Sequence, residues 1–140
     1  MKTNLGRLPF PHPNERQVGG DHYKSSLQHW DLVSRNNVGY LEGCATKYLT
    51  RWRRRGTPRS DLEKTKHFIE KMLDLAQNTG YRPSGLVSWE EIRLYGAANR
   101  IPALDLSAIT ILLRWSDSSG LRAAAKLVER LLKEELLGVE

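Results

Sequence analysis

The apolar residues of this chain recur at helical spacing in most segments after residue 28. The clearest stripe has i, i+4 and i+8 spacing and consists of Tyr40, Leu41, Cys44, Ala45, Tyr48, Leu49 and Trp52. It predicts a helix over about 40–52 whose stripe packs inward. At about 100° per residue, Lys47 and Arg54 fall on the opposite face of this helix, with Arg51 at its edge.

Turn and capping residues predict the other helices of the first half. A short helix is expected at about 30–35, before the Asn36, Asn37 and Gly39 cluster. Gly56 and Pro58 end the 40–52 helix. Ser60 with Glu63 forms a capping box, which predicts that a third helix begins there and runs to about Asn78, with Gly80 as its C-cap.

The second half repeats these signals. Ser88 and Glu91 form a capping box for a helix that ends near Asn99 and Pro102, and helices are expected at about 105–115 and 119–137. Strand signals are nearly absent. We therefore predict an all-α fold: a helical hairpin core of about six helices with an extended N-terminal arm.

Four segments describe the domain organisation that we expect. They are an arm at 1–28, a helical domain at 29–80, a linker at 81–87 and a C-terminal helical subdomain at 88–140. The segment "ATKYLTRW" (45–52) can be aligned with "AITILLRW" (108–115). A degenerate duplication of the hairpin and a mere similarity between two hairpins explain this equally well. If the duplication is real, the second half is a structural or oligomer-forming copy rather than a second site.

The positive charge is concentrated in one segment. The net charge is +6, and residues 47–59 contain no acid. Their six basic residues are Lys47, Arg51, Arg53, Arg54, Arg55 and Arg59. The rest of the chain is balanced, so the excess belongs to this segment. Nucleotides, nucleic acids and acidic lipid headgroups are the natural partners of such a patch, although a solvated helix end has the same composition.

Several familiar sites are missing from the sequence. There is no G-x-x-x-x-G-K-[ST] loop, no Cys and His cluster with zinc spacing, and no evident Ser, His and Asp set. Glu63, Glu70 and Asp74 lack the paired i, i+3 spacing of all-helical nucleotide pyrophosphatases. The single cysteine and the short apolar run at 109–113 lead us to expect a cytoplasmic protein that does not span a membrane.

The stretch "QVGGDHYK", residues 17–24, combines backbone freedom with reactive side chains. Gly19 and Gly20 permit a turn whose N–H groups bind an anion, and His22, Tyr23 and Lys24 add an imidazole, an aromatic ring and a cation. The same residues also fit a simple extended arm with one pinned tyrosine. His29 and His67 are expected to be packing or surface residues rather than ligands.

Two stretches resemble the SaV-like family of small phage proteins. They are "VGGDHYK" and "GYLEGCATKYLTRWRRRGTPRSDLEKTKHFIEKM", and the resemblance covers about residues 17–75. The family signature consists of a Gly-Gly-x-His-Tyr arm, a Lys-Tyr-x-x-Arg helix, a basic residue before glycine, and an Asp-Leu-x-Lys helix. One coliphage member is a nucleotide kinase without a P-loop that phosphorylates deoxynucleoside monophosphates. This chain departs from the family at Cys44, where asparagine is common, and in having arginines where lysines are frequent.

The resemblance implies a nucleotide site and a reaction. The residues that match the family motifs are His22, Tyr23, Lys24, Lys47, Tyr48, Arg51, Arg55, Gly56, Asp61, Leu62 and Lys64. We assign catalytic roles to His22, Lys47, Arg51 and Asp61, with Asp61 or His22 as the base or metal contact. Phosphate and nucleotide contacts are expected from Gly19, Gly20, Tyr23, Lys24, Tyr48, Arg55, Gly56 and Lys64. Tyr23 or Trp30 is expected to stack on the base.

The expected function is a nucleotide kinase that uses a nucleoside triphosphate with Mg²⁺ and assembles as a homo-oligomer. A protein that sequesters a nucleotide or nucleotide signal without chemistry is the first alternative. Nucleic-acid binding through 47–59 is the second, and it is weakened because Trp52 belongs to the inward stripe. The resemblance says nothing about residues 86–140.

Overall fold

The computed structural model describes residues 12–15, 25–83 and 85–138. Within these ranges the chain forms a 3-10 turn at Pro13–Glu15, six α-helices and no strand. The helices are α1 (His29–Asn36), α2 (Tyr40–Arg51), α3 (Pro58–Asn78), α4 (Trp89–Ala98), α5 (Ala103–Arg114) and α6 (Ser118–Leu136). The all-α prediction is confirmed. None of these helices is long and apolar enough to cross a membrane.

The predicted N-cap residue is confirmed for α4, where it is Ser88, and is wrong for α3. Ser88 Oγ accepts a hydrogen bond of 3.1 Å from Glu91 N at the start of α4. Helix α3, however, begins at Pro58, with Thr57 as its N-cap. Proline suits the first helical position because its φ is already helical, so the helix starts before Ser60 can cap it. At the other end Thr79 is the C-cap, and Gly80 follows it with a φ of +73°.

The face of α2 that packs inward differs from the predicted stripe. Ala45, Leu49 and Trp52 are buried as expected, but Tyr40 is 77% exposed. The buried face also contains Glu42, Thr46, Thr50 and Arg51. Because α2 packs against α3 and α5 as well as α1, its polar positions are enclosed from several sides.

One hydrophobic core is shared by the two halves of the chain. It includes Leu49 and Ile69 from the first half and Ile109 and Leu131 from the second. The connecting segment 81–87 contributes to it, because Val87 is buried and the ring of Tyr81 packs 5.9 Å from that of Trp115, measured between centroids. Tyr81 and Val87, at the two ends of this segment, are therefore packed against the helices.

The two halves repeat each other in backbone detail. Helices α2 and α5 have the same length, and each residue of α2 has a counterpart 63 positions later in α5. The residues before them repeat too: Asn37 and Arg100 both adopt a left-handed φ of 52°. Val38 N donates to Val33 O, and at the matching positions Ile101 N donates to Gly96 O.

The packing of the helices has the same twofold character. Each helix contacts its counterpart, α1 with α4, α2 with α5 and α3 with α6. The loop that follows α5 is shorter than the loop that follows α2. The buried positions of α3 therefore match those of α6 at an offset of 59 residues rather than 63. The matching buried pairs are Leu62 with Leu121, Thr65 with Ala124, Ile69 with Val128 and Met72 with Leu131. The structure therefore favours duplication over a chance similarity of two hairpins.

Candidate functional site

Three cations of the described part of the chain converge on the ring of Tyr48. Lys47 Nζ lies 5.1 Å from the ring centroid, Arg51 Cζ 4.5 Å and Lys64 Nζ 5.4 Å. Lys47 and Arg51 come from α2 and Lys64 from α3, so the site is built by the first hairpin. The ring face attracts cations, but the three positive charges repel one another, and an anion between them relieves that repulsion.

Arg51 and Asp61 form an ion pair at the inner end of this cluster. Arg51 Nε lies 3.5 Å from Asp61 Oδ2, and the Asp61 side chain is only 1% exposed. Among the described residues, neither carboxylate oxygen of Asp61 has a hydrogen-bond partner. Asp61 lies in the first turn of α3, where the helix dipole favours negative charge. A buried carboxylate with so few donors is costly to fold, so its presence here requires an explanation.

Three of the remaining basic residues bond to other groups of the chain. Arg53 donates to Asp105 through Nε at 2.8 Å and Nη2 at 3.0 Å, and this bonding raises the pKa of Arg53. Arg54 donates to the carbonyl oxygen of Asn99, and Arg59 pairs with Glu63 at 3.0 Å. The expectation of an open cationic face is therefore corrected: Arg51 is buried, and Arg54 is bound to the end of α4.

Arg55 and Gly56 lie in the loop between α2 and α3. Arg55 N donates to Arg51 O, and its side chain is half-buried. A Cβ atom at Gly56 would meet nothing within 4 Å. Nothing in the described residues therefore requires glycine there for close packing.

His29 is a buried packing residue, as expected, and His67 is exposed. His29 Nε2 lies 2.8 Å from Thr46 Oγ1, which in turn donates to Glu42 O. Because the threonine proton is given to the carbonyl, the histidine donates. Burial, with a smaller contribution from Lys47, lowers the pKa of His29 to about 4, so the ring is neutral at pH 7.

A pocket of about 220 Å³ opens between α1 and α2 beside the cation cluster. Its lining includes Trp30, Tyr40, Cys44 and Lys47. A second hollow, of about 350 Å³, lies along α3 beside Lys64. Sequence reasoning missed Tyr40 as a surface residue, because its spacing matches the apolar stripe.

The second half of the chain lacks most of these polar residues. Counterparts in the two hairpins are His29 and Ile92, Thr46 and Ile109, Lys47 and Thr110, Tyr48 and Ile111, Thr50 and Leu113, Asp61 and Gly120, and Lys64 and Ala123. The second hairpin folds with apolar or small residues at nearly all of these positions. The second hairpin therefore forms without this polar set.

The arm residues Gly19, Gly20, His22, Tyr23 and Lys24 lie outside the described residues. On the N-terminal side of that gap, the described segment 12–15 is bonded to the start of α1. Asn14 Nδ2 donates to Asp31 Oδ2 at 2.7 Å, and Gln28 Nε2 donates to Asn14 O at 2.8 Å.

The described residues contain no group of three or more His, Cys, Asp or Glu side chains that could hold a metal ion. Asp61 supplies one carboxylate beside the cations. Mg²⁺ is commonly held by one or two carboxylates together with substrate phosphates. Asp61 is a carboxylate of this type, but both of its oxygens are buried, and the described side chains do not form a cage of their own.

Comparisons with known proteins add no further constraint. No protein-family model matches the chain, no curated protein is detectably similar in sequence, and no solved structure matches its fold.

Proposed function

We propose that the first hairpin is a nucleotide-binding site and that the chain is a SaV-like nucleotide kinase without a P-loop. The observation that carries the proposal is the convergence of Lys47, Arg51 and Lys64 on the ring of Tyr48. A phosphate chain is the compact polyanion that best matches three cations held within about 6 Å of one ring.

The cations have different roles in this proposal. Lys64 is exposed and Lys47 half-buried, so both are available to phosphate oxygens. Arg51 is held by Asp61 and offers a charge of fixed position rather than a mobile one. Fixed charge is effective in phosphoryl transfer because it need not reorganise as the transition state forms.

The proposed reaction moves the γ-phosphoryl group of a nucleoside triphosphate to a phosphate oxygen of a nucleoside monophosphate. The bond between the γ-phosphorus and the bridging oxygen breaks, and the diphosphate leaves with that electron pair. The acceptor phosphate is mostly ionised at neutral pH, because its second pKa is about 6, so it needs no strong base. Asp61 therefore acts by orienting Arg51. Mg²⁺ bound together with the nucleotide would neutralise phosphate charge.

Sequestration of a nucleotide without chemistry is the second candidate. It is favoured by the burial of both carboxylate oxygens of Asp61, which leaves this acid beside the cations closed to a metal ion. Nucleic-acid binding is weakened, because Arg53, Arg54 and Arg59 bond within the chain and Trp52 is buried.

Turnover distinguishes the first two candidates. Purified protein is incubated with each nucleoside monophosphate, ATP and Mg²⁺, and diphosphate formation is measured by ion-exchange chromatography. Lys64→Ala is expected to reduce kcat/KM at least tenfold, whereas Arg122→Ala, an exposed cation on α6, should have no effect. Nucleotide binding without product from any pair would support sequestration and exclude the kinase.

A further inference from the structure

The pocket between α1 and α2 has an aromatic side chain on each side. Trp30 of α1 is 50% exposed and Tyr40 of α2 is 77% exposed, although both line the same pocket. Large aromatic side chains left open on both walls of a cavity are typical of sites that hold a flat ring.

Both aromatic side chains are held in place. Trp30 Nε1 donates to Asn14 Oδ1 at 2.7 Å. Tyr40 packs edge-to-face on Phe68, with 6.2 Å between ring centroids. Their exposure therefore does not come from a lack of contacts, and a ring that enters the pocket meets walls that are already oriented.

The size and lining of the pocket suit a heterocycle. Its volume is about 220 Å³, and a dry cavity of about 150 Å³ already accepts a benzene ring. Val33, Val38, Gly43 and Cys44 complete much of the lining and offer little charge. The pocket therefore favours a planar, weakly polar group over a phosphate.

Lys47 connects this pocket with the cation cluster. It lines the pocket, and its Nζ is also one of the three cations around Tyr48. Tyr40, Cys44 and Lys47 occupy one stripe of α2, and the stretch from Tyr40 to Lys47 spans about 10 Å along the helix axis. A ligand with a flat ring at one end and a phosphate at the other can lie along this stripe, with its ring beside Tyr40 and its phosphate beside Lys47.

The second hairpin lacks these features. The counterparts of Trp30 and Tyr40 are Arg93 and Ala103, and Thr110 replaces Lys47. The two aromatic side chains and the lysine thus occur together in the first half of the chain, and all three are replaced in the second half.

We infer that the pocket between Trp30 and Tyr40 is the base subsite for a nucleoside 5′-phosphate whose phosphate lies at Lys47 and Lys64. This inference rests on the proposed nucleotide function and names the part of the chain that recognises the base.

Calorimetry with three probes tests the subsite: a nucleoside monophosphate, the matching nucleoside, and pyrophosphate. Tyr40→Ala should weaken binding of the monophosphate and of the nucleoside about tenfold, within the range of one lost stacking contact. Pyrophosphate affinity should be unchanged. Trp89→Ala removes an exposed aromatic side chain that lies outside the pocket. It is the matched control and should alter the affinity for none of the three probes.

The outcomes separate the subsite from the phosphate site. If pyrophosphate binds but Tyr40→Ala leaves monophosphate binding unchanged, the base subsite is wrong and the phosphate site stands. Equal weakening of monophosphate and pyrophosphate would also overturn the subsite, since Tyr40 would then affect the phosphate end of the ligand rather than the base. If the nucleoside binds in a Tyr40-dependent way and pyrophosphate does not bind, the subsite stands and the proposed phosphate site fails. Binding of none of the probes overturns both.

Discussion

The indole Nε1 of Trp52 lies 2.9 Å from Oδ2 of the buried Asp105. The same contact is repeated in the other direction, because Trp115 Nε1 lies 2.9 Å from Oε2 of the buried Glu42. Each tryptophan follows the last residue of its helix, and each acid is the third residue of the opposing helix. Helices α2 and α5 are therefore antiparallel and joined by two equivalent bonds.

Removing each of the two tryptophan hydrogen bonds in turn should lower the free energy of unfolding by different amounts. Asp105 keeps a bidentate pair with Arg53, whereas among the described side chains Glu42 keeps only the hydroxyl of Tyr81, at 2.7 Å. We expect Trp52→Phe to lower the free energy of unfolding by about 1 kcal/mol and Trp115→Phe by about 2–3 kcal/mol, because a buried acceptor that loses a donor is costly. Urea denaturation measures both. Equal losses, or a larger loss at Trp52, would contradict this assignment.

Two glycines at the helix contacts should respond oppositely to alanine. A Cβ at Gly96 would lie 2.6 Å from Leu106 Cδ2, whereas a Cβ at Gly43 would lie 3.8 Å from Val33 Cγ2. Gly43→Ala should stabilise the protein by up to about 1 kcal/mol through helix propensity. Gly96→Ala should instead destabilise the protein by about 1–2 kcal/mol, because overpacking against Leu106 outweighs the gain in helix propensity. Thermal unfolding of the two variants compares them directly, and a stabilised Gly96→Ala protein would refute the close contact.

Burial of neutral His29 should make stability depend on pH. Its pKa is about 4 in the folded protein, against 6.5 for an unperturbed imidazole, so the unfolded chain binds the proton first as pH falls. The free energy of unfolding should therefore decrease between about pH 6.5 and pH 4, by up to about 3 kcal/mol, and this contribution should change no further below pH 4.

His29→Gln is the matched control for that pH effect, because glutamine is neutral and can still donate to Thr46. The other titrating groups are common to both proteins, so the difference between their denaturation curves isolates His29. Parallel pH profiles for the two proteins would show that His29 is not held neutral in the fold.

Arg53 should matter for stability and not for nucleotide binding. Its guanidinium satisfies Asp105, which is 1% exposed. Arg53→Ala should cost about 3 kcal/mol, because it leaves a buried carboxylate with one neutral donor. Nucleotide affinity, measured by calorimetry at a temperature where the variant is folded, should stay within about twofold of the unchanged protein. A tenfold loss of affinity would place Arg53 in the site.

The sequence predicts the helices well and the environment of their polar residues poorly. Helical periodicity and the Ser88 cap locate the elements to within a few residues, because these are local signals. The burial of Arg51 depends on α3, which brings Asp61 against it, and the binding of Arg53 depends on α5, which is 52 residues away. Long-range pairing of this kind produces no periodic pattern in the sequence, so a basic run whose arginines bond within the chain resembled an open cationic face.

The sequence shows the twofold repeat only in part, because the contacts that relate the two halves are also long-range. The matching segments at 45–52 and 108–115 share an offset, but their acids, Glu42 and Asp105, differ in type and lie outside the aligned letters. Only the structure shows that each acid meets the tryptophan of the other half. Once that is known, the polar residues confined to the first hairpin become candidates for function.

The central claim is that the first hairpin binds the phosphates of a nucleotide, and calorimetric titration with nucleoside monophosphates and triphosphates tests it most directly. We predict saturable binding that falls about tenfold in Lys47→Ala or Lys64→Ala and about a hundredfold in the double variant, since each lost charged contact is worth about 1.5 kcal/mol. Arg122→Ala should bind like the unchanged protein. Absence of binding by every nucleotide, or equal affinity in the double variant, would contradict the claim.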